Sequence, residues 1–164
     1  MDNSTFLEKI KTNLTNKGYT LQTNIKYGDY NFEVVGHLAK IELSKFGKND
    51  YFFVVGEIKE TTLDSIRSFS SQAFDYSGQH RVNKLPPGLF GGYWVFPIIL
   101  VDQIENSVMN AVQQEDPPKH YSSAEFPIVI EKTTKKVYYF QRTPTWGAAF
   151  YAGFRQLASE IASL

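Results

Sequence analysis

Between Tyr51 and Val101 the hydrophobic period of the sequence changes twice, and this order restricts the folds open to the chain. The segment YFFVVGEIK is rich in β-branched and aromatic residues, which favour a strand. Directly after it, Leu63, Ile66, Phe69, Ala73 and Tyr76 recur at helical spacing over residues 61–80. Thr61 or Thr62 can serve as the N-cap, and Gly78 stands near the end. Beyond NKLPPGLFGG, the run YWVFPIILV is almost continuously apolar, as expected of a strand covered on both faces, although Pro97 requires an edge or a bulge. A strand that crosses through a helix to a further strand calls for an α/β arrangement with a mixed sheet and helices on its faces.

The flanking segments extend this plan. Phe6, Leu7, Ile10 and Leu14 mark an amphipathic helix over residues 4–17, with Gly18 as its stop. TLQTNIKY and NFEVVGHLAKIEL precede YFFVVGEIK as strands, separated by turn-forming YGDY and KFGKND, so the three make a meander. Residues 104–114 are read as helix, PPKHYSSAE as a loop, and FPIVIE with KVYYFQR as a hairpin around KTTK. A last helix is expected over residues 144–163, with Thr143 as N-cap and Pro144 at its first position. The chain of 164 residues fits one α/β domain, with a core at 4–101 and C-terminal additions at 102–164.

Composition excludes several classes. Lys and Arg total 17 against 17 for Asp and Glu, so no overall field gathers polyanions and any nucleic-acid contact must be local. The absence of cysteine removes disulfides, thiolate catalysis and Cys-containing zinc sites, and fits a reducing, cytoplasmic setting. The longest apolar run, Tyr93 to Val101, is too short to span a bilayer, so no membrane partner is expected.

The polar residues of the strand–helix unit are the candidates for chemistry. Alternation puts Phe53, Val55, Glu57 and Lys59 on one side of their strand. If KFGKN closes the hairpin, Leu43 faces Tyr51, Ile41 faces Phe53, Ala39 faces Val55, His37 faces Glu57 and Val35 faces Lys59, with Glu33 just beyond. Glu33, His37, Glu57 and Lys59 then line one end of one face. On the helix, Gln72 and Tyr76 are one turn apart and flanked by Phe69 and Ala73, so they face the sheet and can reach the same end. A strand-end carboxylate with a neighbouring carbonyl can hold a hard divalent cation, and a nearby lysine can stabilise phosphate charge.

The order of elements over residues 4–101, the triplet Glu57-Ile58-Lys59 and the helical segment Gln72-Ala73-Phe74-Asp75-Tyr76 resemble the PD-(D/E)XK nuclease-like superfamily, its E-x-K signature and the Q-x-x-x-Y signature of its exonuclease branch. The resemblance implies a restriction-endonuclease-like fold and Mg²⁺-dependent hydrolysis of DNA phosphodiester bonds. It assigns Glu57 as metal ligand, Lys59 as catalytic lysine, and Gln72 and Tyr76 as supporting residues. The family also places an acidic ligand on the second strand, where this register offers His37; Glu33 or Asp29 substitutes if the hairpin slips. Without a second carboxylate the chain keeps the fold without cleaving, as a binding or assembly module; a homodimer is among the partner arrangements expected.

The other polar and aromatic groups carry bland readings. Lys132, Lys135, Lys136 and Arg142 read as edge-protecting charges or as phosphate contacts. Tyr138, Tyr139, Phe140, Trp146, Phe150, Tyr151 and Phe154 read as core. His37 reads as a strand histidine bonded to Glu57, His120 stands alone, and Pro86 to Gly92 is a turn or a flap.

Overall fold

A computed structural model describes residues 3–42, 47–84, 91–144 and 147–163. Helix α1 (Asn3–Asn16) buries Phe6, Ile10 and Leu14 along one stripe. Strands β1 (Thr20–Tyr27), β2 (Tyr30–Glu42) and β3 (Gly47–Glu57) form an antiparallel meander. Helix α2 (Leu63–His80) begins at a reciprocal cap: the Ser65 N–H donates to Thr62 Oγ1 at 3.1 Å and the Thr62 N–H to Ser65 Oγ at 3.0 Å. It leads to β4 (Tyr93–Val101), which runs parallel to β3. There follow α3 (Asn106–Gln114), β5 (Lys119–His120), β6 (Ser123–Glu125), β7 (Ile128–Glu131), β8 (Lys136–Tyr139) and α4 (Ala148–Ile161). The strand order is β1-β2-β3-β4-β6-β5, with β7 also on β4 and β8 on β7. The mixed sheet and the crossover through α2 are those expected.

The sheet separates two apolar clusters. Phe6, Leu14, Val34, Phe53, Val55, Leu100, Phe154 and Ile161 pack between one face and helices α1 and α4. Phe32, Val35, Val54, Phe69, Ala73, Tyr76 and Val129 pack between the other face and α2. Gly56 permits the approach of α2, because a Cβ there would lie 2.7 Å from the Phe69 ring.

Pro97 needs no sheet edge. Val95 and Val101 turn their carbonyls toward β6 and β7, accepting from the Phe126 and Lys132 N–H groups. Pro97 shares that orientation by alternation, and its missing N–H falls where the neighbour of β4 changes from β6 to β7.

Three further expectations are corrected. PPKHYSSAE is not all loop, since it contributes β5 and the start of β6. Helix α4 starts four residues late, at Ala148, with Gly147 in the left-handed region as its N-cap; Thr143 and Pro144 precede it. The approach to it is held elsewhere, for the Gln141 N–H donates to Gln113 O and Arg142 Nη1 to Gln114 O at the end of α3. The β2–β3 register differs by five residues, with His37 opposite Phe52, Val35 opposite Val54 and Ala39 opposite Asp50. Its cause is the segment Gly47-Lys48-Asn49-Asp50, which extends β3 where composition favours a turn. Asn49 and Asp50 are fully buried there, Asn49 Oδ1 accepting from the Gly92 N–H at 2.8 Å and Asp50 Oδ1 from the Val82 N–H at 2.9 Å. Leu43, expected opposite Tyr51, residues 85–90 of the Gly-rich segment and Trp146 lie outside the described residues.

The β1–β2 hairpin rolls over near its middle. Leu21, Val34 and Gly36 belong to the α1 side, yet Ile25 and Phe32 belong to the α2 side. The switch occurs at Asn24, whose φ is 56°, and at Glu33 across from it, where the ladder pairing skips. The outer half of the hairpin therefore leans on α2, and Glu33 sits at the pivot.

Candidate carboxylate and lysine site

Three parallel strands end side by side. Glu57 pairs with Leu100 and Val101 with Glu131, while the Ile58 N–H donates to Leu100 O and the Lys132 N–H to Val101 O. This staggering brings Glu57, Asp102 and Lys132 together just past the carboxyl ends of β3, β4 and β7. The Lys132 ammonium bonds the Glu57 carboxylate and lies 2.9 Å from Asp102 Oδ1. Thr133 Oγ1 donates to Asp102 O at 2.9 Å and holds the turn after β7 against β4.

Glu33 completes the group from β2. Glu57 alternates with Val55 and Phe53 and so faces the α1 side of the sheet. Burial raises the Glu33 carboxyl above its ordinary range, the Glu57 charge raises it further, and Lys132 and Lys11 oppose both. Its Oε2 is buried without a hydrogen-bond partner. Burial alone would lower the Lys132 ammonium, but its bonds to Asp102 and Glu57 outweigh this and hold it above the usual lysine value.

Two coupled carboxylates, one with an oxygen lacking a donor, suit a hard cation in charge and ligand type. Mg²⁺ is commonly held by one or two carboxylates, with waters or phosphate oxygens in its remaining positions. Among the described residues no cluster of three or more His, Asp or Glu side chains is arranged to hold a metal. A cation here would therefore rest on Glu33 and Glu57 and draw its other ligands from outside the chain.

The remaining expected site residues do not gather here. Lys59 lies just past β3 and is exposed. His37 is stacked on Phe52 and its Nε2 lies 2.7 Å from Asp50 Oδ1, so its partner is Asp50 and not Glu57. Gln72 belongs to the α2 side, where its Oε1 accepts from the Asp29 N–H at 2.9 Å and its Nε2 donates to Asp29 Oδ2 at 2.9 Å. Tyr76 is buried and donates to Gln22 Oε1 at 3.2 Å; burial raises its phenol. Gln72 fastens the hairpin tip to α2 at Asp29, and Tyr76 fastens the strands through Gln22 and its ring contacts with Tyr27 and Phe32. The sheet separates them from Glu57.

Sequence reasoning missed Asp102 and read Lys132 only as a hairpin lysine. A signal exists in hindsight: IVIEK repeats the pattern of VVGEIK, an apolar strand that ends in glutamate with lysine close behind. His120 was likewise read as solitary, yet it stacks on Phe74 with ring centroids 3.8 Å apart and lies 3.7 Å from Glu125 Oε1. None of the described helices is long and apolar enough to cross a membrane. No family model, curated protein or solved structure matches the chain.

Proposed function

We propose that the chain is a Mg²⁺-dependent phosphodiesterase of the restriction-endonuclease-like kind that hydrolyses DNA. The observation that carries this reading is the register of β2 on β3, which brings Glu33 beside the end of β3, where the Glu57 charge acts on it and Lys132 bonds Glu57. Glu33 takes the place of the second-strand acid for which the sequence offers His37. Glu33 and Glu57 are the residues that would hold the cation. Bound there, it would polarise a phosphoryl oxygen and lower the pKa of a water.

The residues of the chain carry the rest. Lys132 restrains the Glu57 carboxylate and offsets the excess negative charge that would repel a phosphate. Lys59, exposed two residues beyond the end of β3, would contact the DNA backbone. Gln72 and Tyr76 act through the fold, by fixing the hairpin from which Glu33 projects.

A second reading, a non-catalytic binding or assembly module, draws on the closure of the same network: Glu57 and Asp102 already share Lys132. Cleavage separates the two. Supercoiled, linear duplex and single-stranded DNA incubated with Mg²⁺ or Mn²⁺ should be cut by the wild-type chain, and not by Glu57→Gln with its fold retained. If the wild-type chain leaves all three intact, the module reading stands.

A further inference from the structure

At the end of β3 remote from Glu57, the β2–β3 hairpin outruns its neighbour. The pairing of β1 on β2 stops at Thr20 opposite His37, whereas that of β2 on β3 continues to Glu42 opposite Gly47. Among the described residues no strand covers the other edge of residues 38–42. The Asp50 N–H donates to Gly92 O, away from β2, so Ala39 opposite Asp50 likewise turns its backbone N–H and C=O away from β3. Ile41 shares that orientation by alternation, and both residues present these groups at the open edge. The Ile41 side chain is 77% exposed.

An open edge is a template for another strand, and folded chains guard it with irregularities, short strands or charge. Strand β1 carries the irregularity at Asn24, and β5 and β8 are short. On residues 38–42 the guard is charge, and its pattern selects what can pair there. Lys40 and Glu42 point to one face beside Tyr51: Lys40 Nζ lies 5.2 Å from the ring centroid, and Glu42 Oε2 accepts from Tyr51 Oη at 2.7 Å. A two-fold antiparallel pairing of this edge with itself, centred on Lys40 or on Glu42, sets like charges opposite each other. Centred on Ala39, it needs the edge of His37, which Thr20 covers. Centred on Ile41, it sets Lys40 opposite the partner's Glu42 on both sides of the axis, in the closer class of cross-strand pair, and brings Ile41 against the partner's Ile41.

We propose that residues 38–42 of β2 pair antiparallel with the same edge of a second copy of the chain, with Ile41 at the two-fold axis and Lys40 opposite the partner's Glu42. The stretch is short, so the association is weak and concentration-dependent. The cation site lies at the other end of β3 and the proposal does not rest on it, so loss of cleavage and loss of association are separate outcomes.

Sedimentation equilibrium of the full chain between about 10 µM and about 1 mM tests the assignment. A monomer–dimer equilibrium is expected, and exchange of the Ile41 amide proton should slow as the concentration rises. Ile41→Pro removes the outward N–H without touching a bond to β3, and should weaken the dimer about tenfold while the thermal transition is kept. Lys40→Glu sets like charges opposite each other and should weaken it by a similar factor; adding Glu42→Lys to that variant should bring the dimer back to within about threefold of wild type. If Ile41→Pro does not fold, the exposed Lys40 variant carries the test. A wild-type chain that stays monomeric at every concentration overturns the proposal. So does undiminished association of a folded Ile41→Pro or Lys40→Glu chain, or no recovery in a folded double variant.

Discussion

Lys132 and Glu57 are 75 residues apart in the chain and form an ion pair where two strands of one sheet end. The Lys132 side chain is largely buried in this contact, so it serves as a local counter-charge for Glu57, Asp102 and Glu33 and not as a free surface lysine.

Lys132→Met should leave the three carboxylates without that cation. Stability at pH 7 is expected to fall by about 1 kcal/mol, read from urea unfolding. The Glu33 carboxyl, followed by NMR titration, should move further above its ordinary range. The stability difference should shrink in acid, where the carboxylates are protonated in both chains.

Glu33→Gln should separate stability from binding. Because the Glu33 carboxyl is raised in the folded chain, the native state keeps its proton at pH values where the unfolded chain has lost it, and stability falls as pH rises through that interval. The glutamine chain avoids this loss, so it should be more stable than wild type near pH 7 by urea unfolding. Divalent-cation binding, measured by calorimetry, should disappear in the same variant. A loss of both would mark Glu33 as a structural residue only.

Glu125 predicts a pH slope away from the carboxylate and lysine site. It is 3% exposed, and burial pushes its carboxyl up to about 7 despite the hydrogen bond from Ser70 Oγ at 3.1 Å. Stability should be highest below the unfolded value near 4.5 and should decline until about pH 7. The full loss is on the order of 3 kcal/mol. Glu125→Gln should flatten this slope and exceed wild type at pH 8, as measured by thermal unfolding across pH 4–8.

Gln72→Ala should act in the opposite way to Glu33→Gln. It removes two bonds that hold the hairpin tip at Asp29, and should cost about 1 kcal/mol in urea unfolding. Cation binding by the folded chain should persist, because Gln72 lies across the sheet from Glu57.

The fold was more legible than the site, for physical reasons. Period and composition gave α1, α2 and β4 nearly residue by residue, since their apolar stripes are uninterrupted; β1 was read from its strand-forming composition, and β7 and β8 were expected longer by two and three residues at their outer ends. The start of β3 was not legible, because Asn49 and Asp50 carry turn chemistry locally and find their partners only in the folded chain: Gly92, Val82 and His37. That error moved the register by five residues and put His37 beside the wrong carboxylate. Glu57 was visible because it ends an apolar strand, whereas Asp102 and Lys132 become its neighbours only through the stagger of three parallel strands. Gln72 and Tyr76 have the expected helical spacing, but the roll of the hairpin at Asn24 and Glu33 gives them structural partners.

The central claim is that Glu33 and Glu57 form a cation site, and uptake of Mn²⁺ followed by loss of the free-ion EPR signal tests it most directly. The wild-type chain without DNA should bind one Mn²⁺ that Mg²⁺ displaces, and a folded Glu57→Gln chain should bind none. Equal uptake by the two chains, or no uptake by the wild type, would contradict the account.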